Sequence, residues 1–416
     1  MEIKELTNTE FKDFSKQFRP ASMYQTVEYA FTMNEENCDS FFVGLIDDTV
    51  IKAASLILVS KINGFKYAFA PRGFLIDYND NNLLETFTKL LKKFLRKKDI
   101  VAIKINPLII KNVYNSDGDI IKQNPDYNNV FNNLKKLGYY HLGYNNFFEA
   151  LKPRFEALVN IKLPYTLIFA NIKKSFRTKI RKATKEGIKV YHGNINNLDY
   201  LYLQTKGKYP RDLDYFKNLY SFFDKDNLID FYYAKLDTTE YLKIIQSLYS
   251  KYENLSKKLN ADLIESRGQN DKAMTKKFEV DKEFEKTKKL LALATDYLRE
   301  YPNGIILASA LVVKWQDEVY LLMDGYDETY KNFNSKHLLL WKLMGRYSKL
   351  GFKRFNLGGV SNVQKSSKYD GLNEFKLNFG SKIVEYVGDF ELIIHTPLYF
   401  MYRRSTEFNN MLKSSK

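Results

Sequence analysis

Lys376 sits between Phe375 and Leu377, with Phe379 and Gly380 just beyond, in the stretch DGLNEFKLNFGSKIVEYVGDFEL. Leu372, Phe375 and Phe379 recur at helical spacing and predict the buried stripe of a short helix closed by Gly380. Lys376 then lies at the edge of the stripe, its stem packed and its ammonium emerging. Such a cation is either a solvated surface charge or a positive charge held where a reaction develops negative charge. A second pair, Arg211 and Tyr215, is four residues apart. On one helix both point the same way, and guanidinium and hydroxyl together can grip a phosphate. The other reading of Arg211 is a surface residue paired with Asp212 or Asp214. A third candidate is the run NIKKSFRTKIRKATKEGIKV, in which Glu186 is the only acid. Ile172, Phe176, Ile180 and Ala183 give it one buried helical face. Arg177 and Arg181 lie one turn apart among the remaining cations, which form either a phosphate-binding face or a solvated one.

The standard catalytic groupings are missing. The histidines, His141, His192, His337 and His395, do not pair at metal-ligand spacing, and the sequence has no HExxH. His337 begins a predicted helix and reads as a capping or packing residue. There is no GxSxG elbow, no GxGxxG fingerprint and no phosphate-binding loop of the GxxxxGK[ST] type. The single cysteine, Cys38, leaves no disulfide framework or cysteine-rich metal site. A chemistry that needs no metal, protein nucleophile or redox cofactor fits this inventory. Transfer of an activated acyl group to an amine is one, because proximity and charge stabilisation carry much of its rate.

These residues need a scaffold, and a length of 416 residues with 44% hydrophobic content predicts two or three globular domains. One pattern occurs twice. In the first half SFFVGLIDD, TVIKAASLILVS and FKYAFAPRG read as strands, NLLETFTKLLKKFLRKK as an amphipathic helix and DIVAIKINP as a buried strand. In the second half LIDFYYAKLD, NGIILASALVVKW, DEVYLLMDGYD, NSKHLLLWKLMGRYSKLG and FKRFNLGG repeat that order. Asn334 or Ser335 is the expected N-cap of the second helix and Gly351 its stop. The halves differ between their first two strands. The first half has a tight turn at Asp47 and Asp48; the second has about sixty residues, too many for a plain loop. There Ile245, Tyr252 and Leu259 step by seven, accompanied by Tyr241, Leu248 and Leu255. Phe284, Leu291 and Leu298 do the same, with Val280 and Ala294 beside them. A polar turn around Gly268 then predicts an antiparallel helical coiled coil. The net charge of +16 predicts attraction to polyanions such as nucleic acid, phospholipid head groups or phosphorylated substrates, unless it reflects only general lysine enrichment. No apolar run approaches a bilayer span and the first residues lack a signal-peptide core, so a cytoplasmic protein is expected.

Taken in order along the chain, YQTVEYA, YAFAPRGFLIDY, AIKINP, RTKIRKATKEGIKV, RDLDYFKNLY, GFKRFNLGGV and GLNEFKLNFGSKIVEYVGDFEL resemble the FemABX family of tRNA-dependent, peptidoglycan-bridge aminoacyltransferases. The last stretch carries the most specific signature, Phe-Lys-x-x-Phe followed by Tyr-x-Gly-Asp-Phe. The resemblance implies an α+β fold of two tandem GNAT-like (acetyltransferase-like) domains with an inserted helical arm. The expected spans are 1–153 for the first domain, 154–240 with 301–416 for the second, and 241–300 for the coiled-coil arm. It implies transfer of Gly, Ala or Ser from aminoacyl-tRNA, a co-substrate, to an amino group of a lipid-linked or UDP-linked peptidoglycan precursor. No cofactor or metal is implied. The arm is expected to contact tRNA, and the protein to work in the cytoplasm, peripherally at the inner membrane face. Lys376 is the implied catalytic residue, and Arg211, Tyr215, Tyr326 and Phe375 the implied substrate-binding residues.

Two positions depart from the family pattern. Asn106 stands where the family strand carries an aspartate, and an amide cannot act as a general base. Met33 falls where some members carry a lysine. The rival readings are an acetyl-CoA-dependent N-acyltransferase and a non-catalytic module that docks on RNA or a membrane surface. The first lacks a pyrophosphate loop of the kind that opens a helix in acetyltransferases.

Overall fold

The computed structural model describes residues 1–207, 211–265, 271–365 and 367–414, with side chains as far as residue 406. The elements of the first half are β1 (Glu2–Leu6), α1 (Asn8–Gln17), α2 (Val27–Glu35), β2 (Asp39–Asp47), β3 (Val50–Ile62), β4 (Phe65–Ala70), α3 (Asn81–Arg96), β5 (Ile100–Ile105), β6 (Ile110–Tyr114), β7 (Ile120–Gln123), α4 (Tyr127–Lys136) and β8 (Tyr139–His141). Next come β9 (Phe155–Asn160), α5 (Tyr165–Asn171), α6 (Lys174–Lys185), β10 (Ile188–Gly193), α7 (Leu198–Thr205), α8 (Leu213–Asp224), β11 (Ile229–Leu236), α9 (Thr238–Glu265) and α10 (Asp271–Glu300). The chain closes with β12 (Ile305–Trp315), β13 (Glu318–Tyr326), α11 (Ser335–Lys349), β14 (Arg354–Val360), α12 (Asp370–Leu377), β15 (Lys382–Tyr386), β16 (Phe390–Ile393) and α13 (Thr396–Ser414).

The repeated pattern is present in strand order and in pairing. One sheet runs β1-β2-β3-β4-β5-β16-β8 and the other β10-β11-β12-β13-β14-β9-β15-β6-β7. In each, neighbours are antiparallel except at the fourth step, where β4 pairs β5 and β13 pairs β14 in parallel. A parallel pair needs a crossover, and α3 and α11 supply it. Asp80 caps α3 by accepting the Leu83 N–H, and Leu84, Phe87, Leu91 and Leu95 form its buried face. Asn334 is the N-cap of α11, and Gly351 follows its end at φ +90°. The turn between β2 and β3 places Asp48 at φ 56°, a left-handed conformation that two-residue hairpins require.

Sheet membership does not follow the chain halves. β6 and β7, inside the 1–153 span, belong to the second sheet, and β16, near the C-terminus, inserts between β5 and β8 of the first. A core shared by both halves also joins them. Phe11, Met23 and Val27 pack in it with Leu201, Phe216, Phe223 and Trp315. Within this contact α2 lies against α8, with the rings of Phe31 and Phe222 5.6 Å apart.

The long insertion is a pair of helices, α9 and α10, packed side by side. Tyr249 meets Phe284 at 5.1 Å and Ser256 donates to Asp281 at 2.8 Å, so the helices run antiparallel. Ile245, Leu259, Val280 and Ala294 are buried, whereas Leu248 is exposed. Tyr249 and Ser256 occupy the seam beside Tyr252, so the companion positions sit one residue beyond the expected Leu248 and Leu255. The base of the pair is part of the second core: Tyr241 stacks its edge on Phe333 at 5.4 Å, and Ala294 is fully enclosed. The expected turn around Gly268 lies outside the described residues. Among the described residues no helix is long and apolar enough to cross a membrane.

Candidate functional site

α12 carries Lys376. Its first turn differs from the expected stripe, since Leu372 is exposed, whereas Phe379, just past its end, is fully buried as expected. Asn373 takes the inward position instead. Its side chain accepts the Ser361 N–H at 3.0 Å and donates to Ser361 Oγ at 2.8 Å. A polar clamp thus replaces the apolar contact expected of Leu372 and ties α12 to the end of β14. Gly380, at φ +78°, follows the helix as expected.

This clamp sets Lys376 against β14. Its ammonium donates to the Gly359 carbonyl at 2.7 Å. Gly358 beside it has φ +79°, and a Cβ there would stand 3.6 Å from the ammonium. Burial pulls the Lys376 pKa down to about 8, with Asp324 and Glu156 opposing the shift and Lys336 adding to it. An ammonium carries three N–H donors, and one goes to Gly359. The others remain for an incoming oxygen.

Phe375 and Tyr326 gather at the same corner. Lys336 pairs with Asp324 at 2.5 Å, and its ammonium lies 4.7 Å from the Phe375 ring centre and 5.7 Å from that of Tyr326. His337, next to Lys336, packs edge-on against Phe176 at 4.4 Å and against Phe375 at 5.3 Å. Burial, with Lys179 and Lys336 nearby, lowers its pKa to about 4, so it is a neutral packing residue.

Arg211 and Tyr215 form the other end. Arg211 precedes the N-cap of α8 and so is not on one helix with Tyr215, yet the two meet: the guanidinium lies 4.4 Å from the Tyr215 ring centre. Arg211 pairs with neither Asp212 nor Asp214. It reaches Glu36, at the end of α2, at 2.8 Å. Asp212 instead caps α8 by accepting the Tyr215 N–H at 2.8 Å. The pair therefore sits where α8 meets α2.

A buried polar network joins the two ends. Arg72 donates to Glu156 at 2.5 Å and to the Pro153 carbonyl at 2.8 Å. Asn356 donates to Glu156 and to Glu318, each at 2.9 Å, and Tyr386 donates to Glu156 at 3.3 Å. Glu156 acts electrostatically on Lys376 in one direction and on Tyr24 and Lys152 in the other. Asn106 holds the loop that presents Arg72, its side-chain oxygen accepting the Arg72 N–H at 2.7 Å. It is thus a positioning residue. Met33 packs among apolar residues of the shared core.

Arg72, Lys152, Glu156, Asp324 and Lys336 are site residues that sequence reasoning missed. Arg72 lay in YAFAPRGFLIDY, Asp324 in DEVYLLMDGYD and Lys336 in NSKHLLLWKLMGRYSKLG, stretches read for fold and resemblance, whereas Lys152 and Glu156 lay in none of them. The basic helix α6 buries Phe176, Ile180 and Ala183 as expected, and Ile172 is buried too, but in the extended link between α5 and α6. Its outer face and the base of α9 enclose a cleft of 830 Å³ whose lining includes Arg181, Lys182, Lys185 and Lys243. Among the described residues no three His, Cys, Asp or Glu side chains gather as a metal site.

A family model described as the FemAB family matches residues 6–405. Aminoacyltransferase FemA of Staphylococcus epidermidis is 26% identical, over 97% of this chain and 98% of that protein. The lipid II:glycine glycyltransferase of Staphylococcus haemolyticus is 28% identical, over 96% of this chain and 94% of that protein. The crystal structure of FemX has the same fold, with a TM-score of 0.76 and 23% identity over 96% of this chain and 99% of that one.

Proposed function

Since the chain belongs to the FemAB family, we propose that it is an aminoacyltransferase that extends the peptide cross-bridge of a peptidoglycan precursor. The donor is an aminoacyl-tRNA carrying Gly, Ala or Ser, and the acceptor is an amino group of a lipid II-type or UDP-linked precursor. The relatives' names, aminoacyltransferase and lipid II:glycine glycyltransferase, support this reading. The single structural observation that carries the chemistry is the desolvated ammonium of Lys376, pinned on the Gly359 carbonyl with donors to spare.

The acceptor amine, in its neutral form, attacks the ester carbonyl of the donor. A C–N bond forms and the carbonyl oxygen becomes an oxyanion. Lys376 donates hydrogen bonds to that oxygen, in surroundings where charge is weakly screened. Collapse expels the ribose oxygen of the tRNA, which takes up a proton as the amine nitrogen gives one up. Phe375 and Tyr326 form the apolar wall beside the reacting carbonyl. Arg211 and Tyr215 hold the phosphates of the precursor, so that binding energy far from the reacting atoms fixes their alignment. No cofactor beyond the tRNA-borne substrate is needed for this sequence of steps.

In the same reading the spans 1–153 and 154–240 with 301–416 are tandem GNAT-like domains that exchange strands, the first giving β6 and β7 to the second sheet and the second giving β16 to the first. Residues 241–300 form a coiled-coil arm that touches tRNA. The cationic cleft at the root of the arm and the net charge of +16 suit a polyanion. A lipid-linked acceptor implies work at the cytoplasmic membrane surface. Purified protein given labelled Gly-, Ala- or Ser-tRNA and either precursor should produce a precursor heavier by one residue. Absence of a mass shift with every combination overturns the proposal.

A further inference from the structure

Among the described residues, several enclosed cations have carboxylate partners. Arg154 pairs with Glu385, Lys104 with Asp389, Lys314 with Asp230 and Arg72 with Glu156. Lys152 does not. It lies in the irregular segment leading into β9, and among the described residues no carboxylate is within ion-pair distance of its ammonium. That ammonium lies 3.3 Å from the centre of the Tyr24 ring and donates to the Tyr29 hydroxyl at 3.3 Å. The residue is half-buried, and these contacts hold the charge in place without neutralising it.

We propose that Lys152 is a phosphate-binding residue, a third group that converges with Arg211 and Tyr215 on the diphosphate of the acceptor substrate. This rests on the reading of Arg211 and Tyr215 given above. The groups facing Lys152 are Tyr24 and Tyr29 from α2 and the segment before it, Arg72 from the loop after β4, Glu156 from β9, and Arg211 and Tyr215 at the start of α8, with Glu36 behind Arg211. Three cations stand against two carboxylates, and Glu156 and Glu36 are already engaged by Arg72 and Arg211. One positive charge is left over, in a place where water is largely excluded. A lysine that served only to tie the segment to α2 would be cheaper as a neutral group. A diphosphate supplies the missing negative charge, and the hydroxyls of Tyr24, Tyr29 and Tyr215 supply neutral donors around it.

The surroundings give the site a measurable signature. Burial, then the neighbouring Arg72, lowers the Lys152 pKa well below its usual value; Glu156 opposes this and Arg211 adds to it. The Tyr24, Tyr29 and Tyr215 hydroxyls are shifted upward, chiefly by burial, and Arg72 is shifted upward by Glu156 against the opposing effect of burial. These groups therefore move away from the pH range in which Lys152 changes charge. A bound diphosphate raises the Lys152 pKa again. Between its free and bound pKa values, binding therefore takes up a proton, and affinity increases as pH falls.

The test is calorimetric titration of the full chain with UDP-N-acetylglucosamine, a soluble diphosphate diester, and with UMP as a monophosphate control. Each titration is run in two buffers of different ionisation heat to count protons. Expected are proton uptake with the diphosphate, and its loss in Lys152→Met with affinity about tenfold weaker. Lys152→Arg should keep most of the affinity and lose the proton uptake, since arginine stays charged. Thermal melts identify any variant that does not fold, and Lys152→Gln then replaces it in the same comparison. If Arg211→Ala weakens binding while Lys152→Met and Lys152→Gln match the wild type, the role of Lys152 is overturned and that of Arg211 stands. If the wild type binds the diphosphate no better than UMP, both roles are overturned.

Discussion

Lys152 and Lys376 are both half-buried lysines that have no carboxylate at ion-pair distance among the described residues, and burial is the main cause of the lowered pKa of each. Their restraints differ. Lys376 is fixed by a hydrogen bond to one backbone oxygen, at a strand end where Gly358 stands beside the ammonium and Gly359 packs closely on Pro153. Lys152 rests on the face of a ring, an attraction that tolerates sideways movement. Charges of both signs surround Lys376, whereas cations and hydroxyls predominate around Lys152. A rigidly aimed donor suits an oxygen whose charge appears only in the transition state, and a compliant cation suits an anion present from the start. One lysine should therefore govern turnover and the other binding.

Removing the aimed donor should have the largest effect. Lys376→Met keeps most of the stem and should lower kcat on the order of a hundredfold with little change in precursor KM. Single-turnover transfer from aminoacyl-tRNA measures it, and a full-rate variant reduces Lys376 to a surface residue. The pH profile sharpens the same point. The protonated form is the donor, so wild-type turnover should fall as pH rises through about 8. Stability should move the other way. The folded pKa lies below the ordinary 10.5, so the folded protein binds fewer protons than the unfolded chain between about 8 and 10.5. At neutral pH both forms are protonated and the full cost of burying the charge is present. Lys376→Met should accordingly melt at a higher temperature than wild type at pH 7, with the gap narrowing above pH 8.

Arg211→Ala, on the binding side, should raise precursor KM about tenfold and leave kcat at saturation nearly unchanged. A normal KM in this variant removes the phosphate role. Gly358→Ala comes next in size. It strains a residue at φ +79° and sets a methyl in van der Waals contact with the ammonium, at a cost to stability of roughly 1 kcal/mol. Turnover should fall several-fold while KM for the precursor holds, and equal losses in both would show that the carbonyl contact does not aim Lys376. The smallest effect is expected from the helix pair. Replacing residues 250–287 with a Gly-Ser link spares Tyr241, Ile245 and Ala294, which belong to the core. The body should melt as before, and tRNA affinity should drop a few-fold at low salt and converge with wild type at high salt. Unchanged filter binding at low salt would remove the arm from tRNA recognition.

Much of the scaffold was legible because it rests on local periodicity. Alternation and helical spacing were strong enough in both halves to reveal the repeat, and α6 shows its buried face at three of the four expected positions, Ile172 falling in the link before it. The seam of the helix pair was readable to within one residue, since a seven-residue step leaves the flanking position ambiguous. Contacts between distant segments were not readable. No local pattern tells β16 to enter the first sheet, or Arg211 to find Glu36 instead of its adjacent acids. Asn373 outranks Leu372 because its amide meets Ser361, a match of donors and acceptors that a hydrophobic pattern does not encode. Lys152 belongs to no motif, and its importance comes from the absence of a partner, which only a folded arrangement reveals.

The insertion of β16 between β5 and β8 also constrains how the protein can be made. On the ribosome the first sheet can assemble only as far as β5, leaving an unpaired edge and a separated β8. The slot stays open through synthesis of the whole second sheet and closes only after residue 393 has emerged. Folding domain by domain during translation is thereby blocked for the first sheet, and its open edge is a surface for chaperones to guard until the end of the chain arrives.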